Sequence, residues 1–214
     1  MQNLSVYYAQ RASEYESIYE KPERQEDLSI LKEILNQSFT GKDVLEIACG
    51  TGYWTAHIAK SAKSILATDV NNETLEIARR KNYGSCPVTF LESDAFSLTN
   101  LQQKMTDAFH GFWWSHIPLQ DIGKFLKLFH AKLKPEARVV MIDNIFVEGS
   151  STPISRTDKF GNTYQQRLLG NGSTHEVLKN FTTPDLLHDL LRPYTGILQV
   201  SQLNYYWIAE YYVS

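Results

Sequence analysis

The sequence is poor in several things, and each shortage removes a class of protein. It has two cysteines, Cys49 and Cys86, among 214 residues. That is too few for a disulfide framework or a cysteine-rich zinc site, so a reducing, cytoplasmic setting is expected. No apolar run approaches the roughly twenty residues that span a bilayer. The opening Met1-Gln-Asn-Leu-Ser-Val-Tyr-Tyr8 lacks a basic segment followed by an apolar block, so neither a membrane span nor a signal peptide is expected. Charge of one sign is also missing: 21 Lys and Arg stand against 24 Asp and Glu, a net charge of −3. Such a balance gives no electrostatic footprint for a nucleic-acid partner. Internal repeats and low-complexity tracts are absent.

What is present is a core and a rhythm. Hydrophobic residues make up 43% of the chain and charged residues 21%, enough apolar side chain for one α/β domain with a small cap. Apolar runs at 44–48, 65–68, 88–91, 108–114 and 138–142 read as strands. Between them lie stretches with helical spacing: Arg24 to Gln37, Tyr53 to Ala62, from Asn71 or Asn72 to about Asn82, and Asp121 to Leu133, closed by Lys134-Pro135. This alternation predicts a parallel sheet covered on both faces. The rhythm breaks after Val147. Residues 148–182 are polar and long for a connection, and are expected to form an ordered cap. Thr183-Pro184-Asp185 then opens a helix, and 197–200 with 205–213 close the chain as a hairpin. The expected divisions are a lid helix (1–22), a core (40–147), the cap, and a closing unit (183–214).

The segment Val44-Leu-Glu-Ile-Ala-Cys-Gly-Thr-Gly-Tyr-Trp54 carries most of the chemistry. A strand stops at an acidic, glycine-bearing turn and a helix follows at once, which is how a nucleoside cofactor is held. Gly50 and Gly52 allow the backbone to approach a ligand without a Cβ in the way. The next strand ends in Asp69, placed for ribose hydroxyls, and the third ends near Asp94, placed for an adenine amino group. A dinucleotide site fits less well, because Thr55 stands where its third glycine belongs, and no Gly-Lys-Ser/Thr marks a phosphate-cradling loop.

Glu46-x-Ala48-Cys-Gly-x-Gly52, the acid Asp69, Leu91-Glu-Ser-Asp94-Ala-Phe96 and Leu133-Lys-Pro-Glu-Ala137 together resemble class I S-adenosylmethionine-dependent methyltransferases. Glu136 and Ala137 depart from the family's usual pair of glycines. The resemblance implies a Rossmann-like, seven-stranded, mostly parallel sheet with helices on both faces and an antiparallel C-terminal strand. It implies S-adenosylmethionine as cofactor, surrounded by Glu46, Ala48, Gly50, Gly52, Trp54, Asp69, Val70, Asp94, Ala95, Phe96 and Trp114. It also implies in-line methyl transfer to the nitrogen or oxygen of a small polar acceptor, not a nucleic acid. A cofactor-dependent cyclase and a cofactor-binding scaffold subunit remain alternatives, and the oligomeric state is not readable.

On the acceptor side, His116 is the histidine placed near the methyl. It either acts as a general base or holds a loop. Tyr7, Tyr8, Arg11 and Tyr15 resemble the lid helix of small-molecule members. Asp143 ends the fifth strand. Arg156, Tyr164 and Arg167 lie in the cap, where either arginine receives an anionic acceptor or pairs with Asp158. Asp143-Asn144 resembles the metal-holding pair of catechol-type enzymes. The aspartate those enzymes place after strand four is replaced here by Trp114, Ser115 and His116, so no metal is expected.

Overall fold

The five apolar runs become the parallel part of one sheet in a computed structural model, which describes residues 2–98, 101 and 103–214. In chain order they are β1 (Asp43–Ile47), β2 (Ser64–Asp69), β3 (Val88–Glu92), β4 (Met105–Gly111) and β5 (Leu133–Asn144). The polar stretch that follows yields β6 (Arg156–Thr157), β7 (Thr163–Leu168) and β8 (Thr174–Leu178), a separate antiparallel sheet. The closing hairpin, β9 (Leu198–Gln202) and β10 (Tyr206–Tyr212), returns to the first sheet. Its order is β3-β2-β1-β4-β5-β10-β9, seven strands of which β10 runs antiparallel to both neighbours. The expected sheet is therefore the observed one.

Among the described residues six α-helices accompany the strands: α1 (Gln2–Arg11), α2 (Gln25–Ser38), α3 (Tyr53–Ile58), α4 (Asn72–Arg79), α5 (Ile122–His130) and α6 (Pro184–Leu191). Leu28, Leu31 and Leu35 of α2 pack with Trp54, Ile58 and Leu75 in one apolar cluster. Phe125 and Phe129 of α5 pack with Leu187 and Leu191 of α6 in another. Both faces of the sheet are thus covered, which is why β1 reads Asp-Val-Leu-Glu-Ile without alternation. Thr183 caps α6, its hydroxyl accepting the Leu186 N–H at 3.3 Å, with Pro184 in the first turn. Between β1 and β4 the strand order reverses, opening a crevice at the C-terminal strand ends. Ahead of α2, a 3-10 stretch at Ala12–Tyr19 carries α1 across that crevice, and Tyr7 packs with Leu169 and Val177 beside the small sheet. No helix among the described residues is long and apolar enough to cross a membrane.

Three expectations are corrected. β4 starts and ends three residues earlier than the apolar run suggests: it stops at Gly111, where an added Cβ would lie 3.0 Å from the Phe109 ring. Phe112, at φ 60, then turns the chain, and Trp114–His116 form a 3-10 turn beyond the sheet. Lys134-Pro135 does not end a helix; α5 stops at His130 and the proline lies inside β5. A register shift between Met105 and Asp107 accommodates it, with Glu136 at φ 60 donating its N–H to Val213. Glu136 thereby holds a left-handed position where the family pattern places glycine. Finally, α3 ends at Ile58 and α4 at Arg79, several residues short of the apolar pattern, which continues through turns such as that bringing Ala62 into the core.

Candidate active site

The chain leaves β1 through Ala48-Cys-Gly-Thr-Gly52, and Ala48, Gly50 and Gly52 have φ of 53, 56 and 78. Three left-handed residues in so short a loop fold it back on the strand ends. Gly50 donates its N–H to Asp69 Oδ2 at 2.9 Å, and Asn71 donates to Asp69 Oδ1 at 2.9 Å. Burial raises the Asp69 pKa, against the lowering effect of these amides. Each carboxylate oxygen retains acceptor capacity for an incoming hydroxyl.

These groups open onto a largely apolar cavity of about 300 Å³ at the strand-order reversal. Ala48, Gly50, Asp69, Val70, Asp94 and Ala95 line it, as do Tyr8, Tyr15 and His116. Asn71, Thr74, Ser93, Phe112 and Trp113 line it too and were not anticipated. Two of the four non-glycine residues with positive φ among those described, Ala48 and Phe112, belong to this wall. Such strain, worth about 1–3 kcal/mol each, concentrates where a ligand site over-determines the backbone.

Five expected cofactor residues lie off the lining. Gly52 serves packing rather than ligand approach: an added Cβ would sit 2.5 Å from Tyr83 Oη and 3.0 Å from Ala78 Cβ. Gly50, by contrast, has nothing within 4 Å of that position, so its missing side chain leaves the cavity open. Trp54 turns into the core, where its indole N–H donates to Tyr19 Oη at 3.1 Å. Phe96 packs on Phe125. Trp114 is buried with its N–H on Thr182 at 3.0 Å, and Trp113 takes the wall position instead, because the chain has already turned at Phe112. Glu46 is 1% exposed, on the covered face of β1 that it shares with Val44, and its Oε2 has no hydrogen-bond partner. Burial, and secondarily the nearby Asp69 charge, push its pKa up to about 8.

A second, more polar chamber of about 440 Å³ adjoins the first. Tyr8, Tyr15, Phe112 and His116 line both. Tyr7, Arg11 and Arg167 line the second, as expected, together with Lys21, Arg24 and Lys179, which were missed. The His116 Nδ1–H donates to the Leu178 carbonyl at 2.6 Å, so Nε2 is the acceptor, taking the Tyr8 hydroxyl at 2.7 Å. Burial, reinforced by Lys179 and Arg167, holds the His116 pKa well below its usual value, and burial holds the Tyr8 phenol protonated.

Asp143 does not reach either chamber. It is wholly buried, taking Ser115 N–H and Oγ–H at 2.9 Å each, the Asn144 amide, and the Lys179 ammonium at 3.0 Å. Burial opposes its charge, yet Lys179 and these donors hold its pKa below the ordinary range. Its task is to fix the turn that carries His116. Arg156 and Tyr164 also lie outside both chambers. Arg156 pairs through both arms with Glu176, not with Asp158, at 2.8 and 2.5 Å, and stacks 3.6 Å from the Tyr164 ring. The Tyr164 hydroxyl donates to Asp158 at 3.1 Å, so this group orders the small sheet.

Residues 44–136 match the family model described as Methyltransferase domain. This segment, a little under half of the chain, is similar to a methyltransferase domain. An uncharacterized methyltransferase of Oceanobacillus iheyensis is 26% identical over 134 residues, 63% of this chain and 58% of that protein. The demethylmenaquinone methyltransferase of Clavibacter sepedonicus is 28% identical over 105 residues, 48% of this chain and 41% of that protein. The chain spans about half the length of the curated relatives it matches. Among solved structures, a DhpI–SAH complex has a TM-score of 0.81 at 24% identity, covering 100% of this chain and 96% of that one. Likeness at that identity shows the fold. Within the matched segment, Trp113 was within reach of sequence reasoning, one residue from the chosen Trp114. Arg24 and Lys179, which flank the domain, carry no local signal.

Proposed function

We propose that the protein transfers the methyl group of S-adenosylmethionine to a small polar acceptor seated in the second chamber. The observation that carries this reading is the shared wall of Tyr8, Tyr15, Phe112 and His116. A donor lodged on Gly50, Asp69 and Asp94 and an acceptor in the polar chamber meet there. The residues fit the cofactor: the space beside Gly50 is open, Asp69 faces the cavity, and the remaining wall is apolar enough for an adenine ring. Asp69 takes the ribose hydroxyls, while Asp94 and the backbone at Ala95 read the base. Glu46 offers a carboxylate beneath the loop to the cationic methionine end. One solved structure of similar fold is a DhpI–SAM–HEP complex.

When bound, S-adenosylmethionine supplies a sulfonium methyl that an acceptor lone pair takes by direct displacement, leaving S-adenosylhomocysteine. Tyr8, Tyr15 and Phe112 exclude water at that point and turn ring faces toward positive charge. His116 has no free lone pair for an acceptor proton, because Nε2 already receives the Tyr8 hydroxyl. It positions Tyr8, and the rate comes mainly from proximity and alignment. The chamber's size suits a metabolite rather than a polymer, and two unpaired cysteines suit the reducing cytoplasm.

Calorimetric titration with S-adenosylhomocysteine, followed by labelled methyl transfer into fractionated metabolites, tests the reading. Saturable binding and a labelled small product are expected. No uptake by folded protein sinks it, and release of 5′-methylthioadenosine instead of S-adenosylhomocysteine moves it to a cyclase.

A further inference from the structure

We infer that the second chamber is built for an oxyanion, so that the acceptor carries a carboxylate or phosphate-type group held by Arg11, Arg24 and Arg167. This rests on the methyl-transfer reading of the same site and adds the charge of its acceptor.

Buried cations are ordinarily paired with carboxylates, since an uncompensated charge away from water is costly. The three guanidiniums line one chamber, yet among the described residues none forms an ion pair. Arg24 is the clearest case. It is 9% exposed, its two terminal nitrogens reach the neutral Asn144 Oδ1 at 3.4 Å and Ser150 Oγ at 3.0 Å, and its buried Nε has no partner. Arg167 spends Nε and Nη2 on one neutral oxygen, Gln165 Oε1, at 3.2 and 2.7 Å. Arg11 donates to Tyr7 Oη at 2.9 Å.

Aromatic rings hold these groups without using their hydrogen-bonding edges. The Arg24 guanidinium carbon lies 5.2 Å from the Tyr205 ring centre and 5.7 Å from Tyr206, and that of Arg11 lies 5.5 Å from Tyr15. Ring contact takes the flat faces and leaves N–H forks pointing sideways, the geometry that grips planar or tetrahedral oxyanions. The other two cations of the wall are already answered, Lys179 by Asp143 at 3.0 Å and Lys21 by Glu23 at 4.0 Å. Glu14 is the wall's carboxylate among the described residues, and it is exposed. The unanswered charge is therefore concentrated on the three arginines.

The test titrates inorganic phosphate and malonate, separately, into the full chain saturated with S-adenosylhomocysteine, at low and high sodium chloride. One of the two binds, more weakly as salt rises, and which one binds distinguishes a phosphate-type from a carboxylate acceptor. Arg24→Gln and Arg167→Gln each weaken that binding about tenfold to a hundredfold while S-adenosylhomocysteine still binds as before. Should Arg24→Gln fail to fold, Arg24→Lys keeps the charge, removes the fork, and shows a smaller weakening. Absence of binding by both anions at millimolar concentration, or binding unchanged in the arginine variants, overturns the inference. Failure of S-adenosylhomocysteine to bind sinks the methyl-transfer reading instead, and is read independently of the anion.

Discussion

Replacing Glu46 with glutamine should stabilise the ligand-free protein, and by an amount that depends on pH. Glu46 is 1% exposed with Oε2 unpartnered, and its pKa is pushed from an ordinary 4.5 up to about 8. A carboxyl raised in this way stays protonated in the fold while the unfolded chain releases its proton. Stability is therefore fully present below pH 4.5 and is lost as pH rises from there to about 8. At pH 7 the chain stands about 2.5 units into that window, and at about 1.4 kcal/mol per unit the loss is about 3 kcal/mol. Glutamine has the same shape and a donor where protonated glutamate has one, but it cannot ionise. Urea unfolding should thus show Glu46→Gln more stable by about 3 kcal/mol near pH 7, and by less than about 1 kcal/mol at pH 5, with unchanged m-values. On the proposed reading, in which Glu46 meets the cofactor's cationic end, the same variant should bind S-adenosylmethionine more weakly. A pH-independent difference, or a variant less stable than the parent at pH 8, would refute the reasoning by showing Glu46 already ionised and paired.

Lys179→Met leaves the Asp143 charge buried without its cationic partner, which should cost about 3–5 kcal/mol in chemical unfolding. Asp143→Asn combined with Lys179→Met should recover most of that loss; no recovery would mean the pair is not the coupled unit. His110 is wholly buried with neither ring nitrogen hydrogen-bonded, and burial drives its pKa down to about 4. Its neutral form loses stability as pH falls from 6.5 toward 4, so the gain from His110→Leu should be about 2 kcal/mol larger at pH 5 than at pH 7.5 in thermal or urea unfolding. Gly52→Ala meets Tyr83 and a left-handed φ of 78, and should cost upwards of about 2 kcal/mol. Gly50→Ala, with φ 56 and free space around it, should cost about 1 kcal/mol yet lose most S-adenosylhomocysteine affinity. Equal effects of the two alanines on affinity would erase the distinction drawn between them.

The half of the site proposed for the cofactor was readable because its chemistry is local. An acid ends β2, another follows β3, and a glycine turn ends β1; parallel sheet topology then brings all three to one crevice whatever the rest of the chain does. The failures there are failures of side-chain direction over one or two residues. Phe112, in the left-handed region, swaps which tryptophan faces the cavity, and the start of α3 rotates Trp54 into the core. The half proposed for the acceptor is assembled from α1, the start of α2, the turn after β4 and the small sheet, and no spacing in the sequence joins residues so far apart. Charged residues there could be counted but not sorted. Asp143, Arg156 and Arg167 looked alike as candidates, and only their partners separate them. Asp143 closes on Lys179 and Ser115, Arg156 closes on Glu176, and both are thereby structural. Arg167 closes on a neutral amide and Arg24 leaves a nitrogen unused. In a folded protein, charge left unanswered after every internal partner has been taken points to a ligand, and here it lies on one wall of one chamber. On the proposed reading the same logic applies to Glu46 with the opposite sign, since its buried Oε2 has no hydrogen-bond partner among the described residues. The two residues that most sharpen the functional reading, Glu46 and Arg24, are ionisable side chains that each keep a buried polar atom without a hydrogen-bond partner among the described residues.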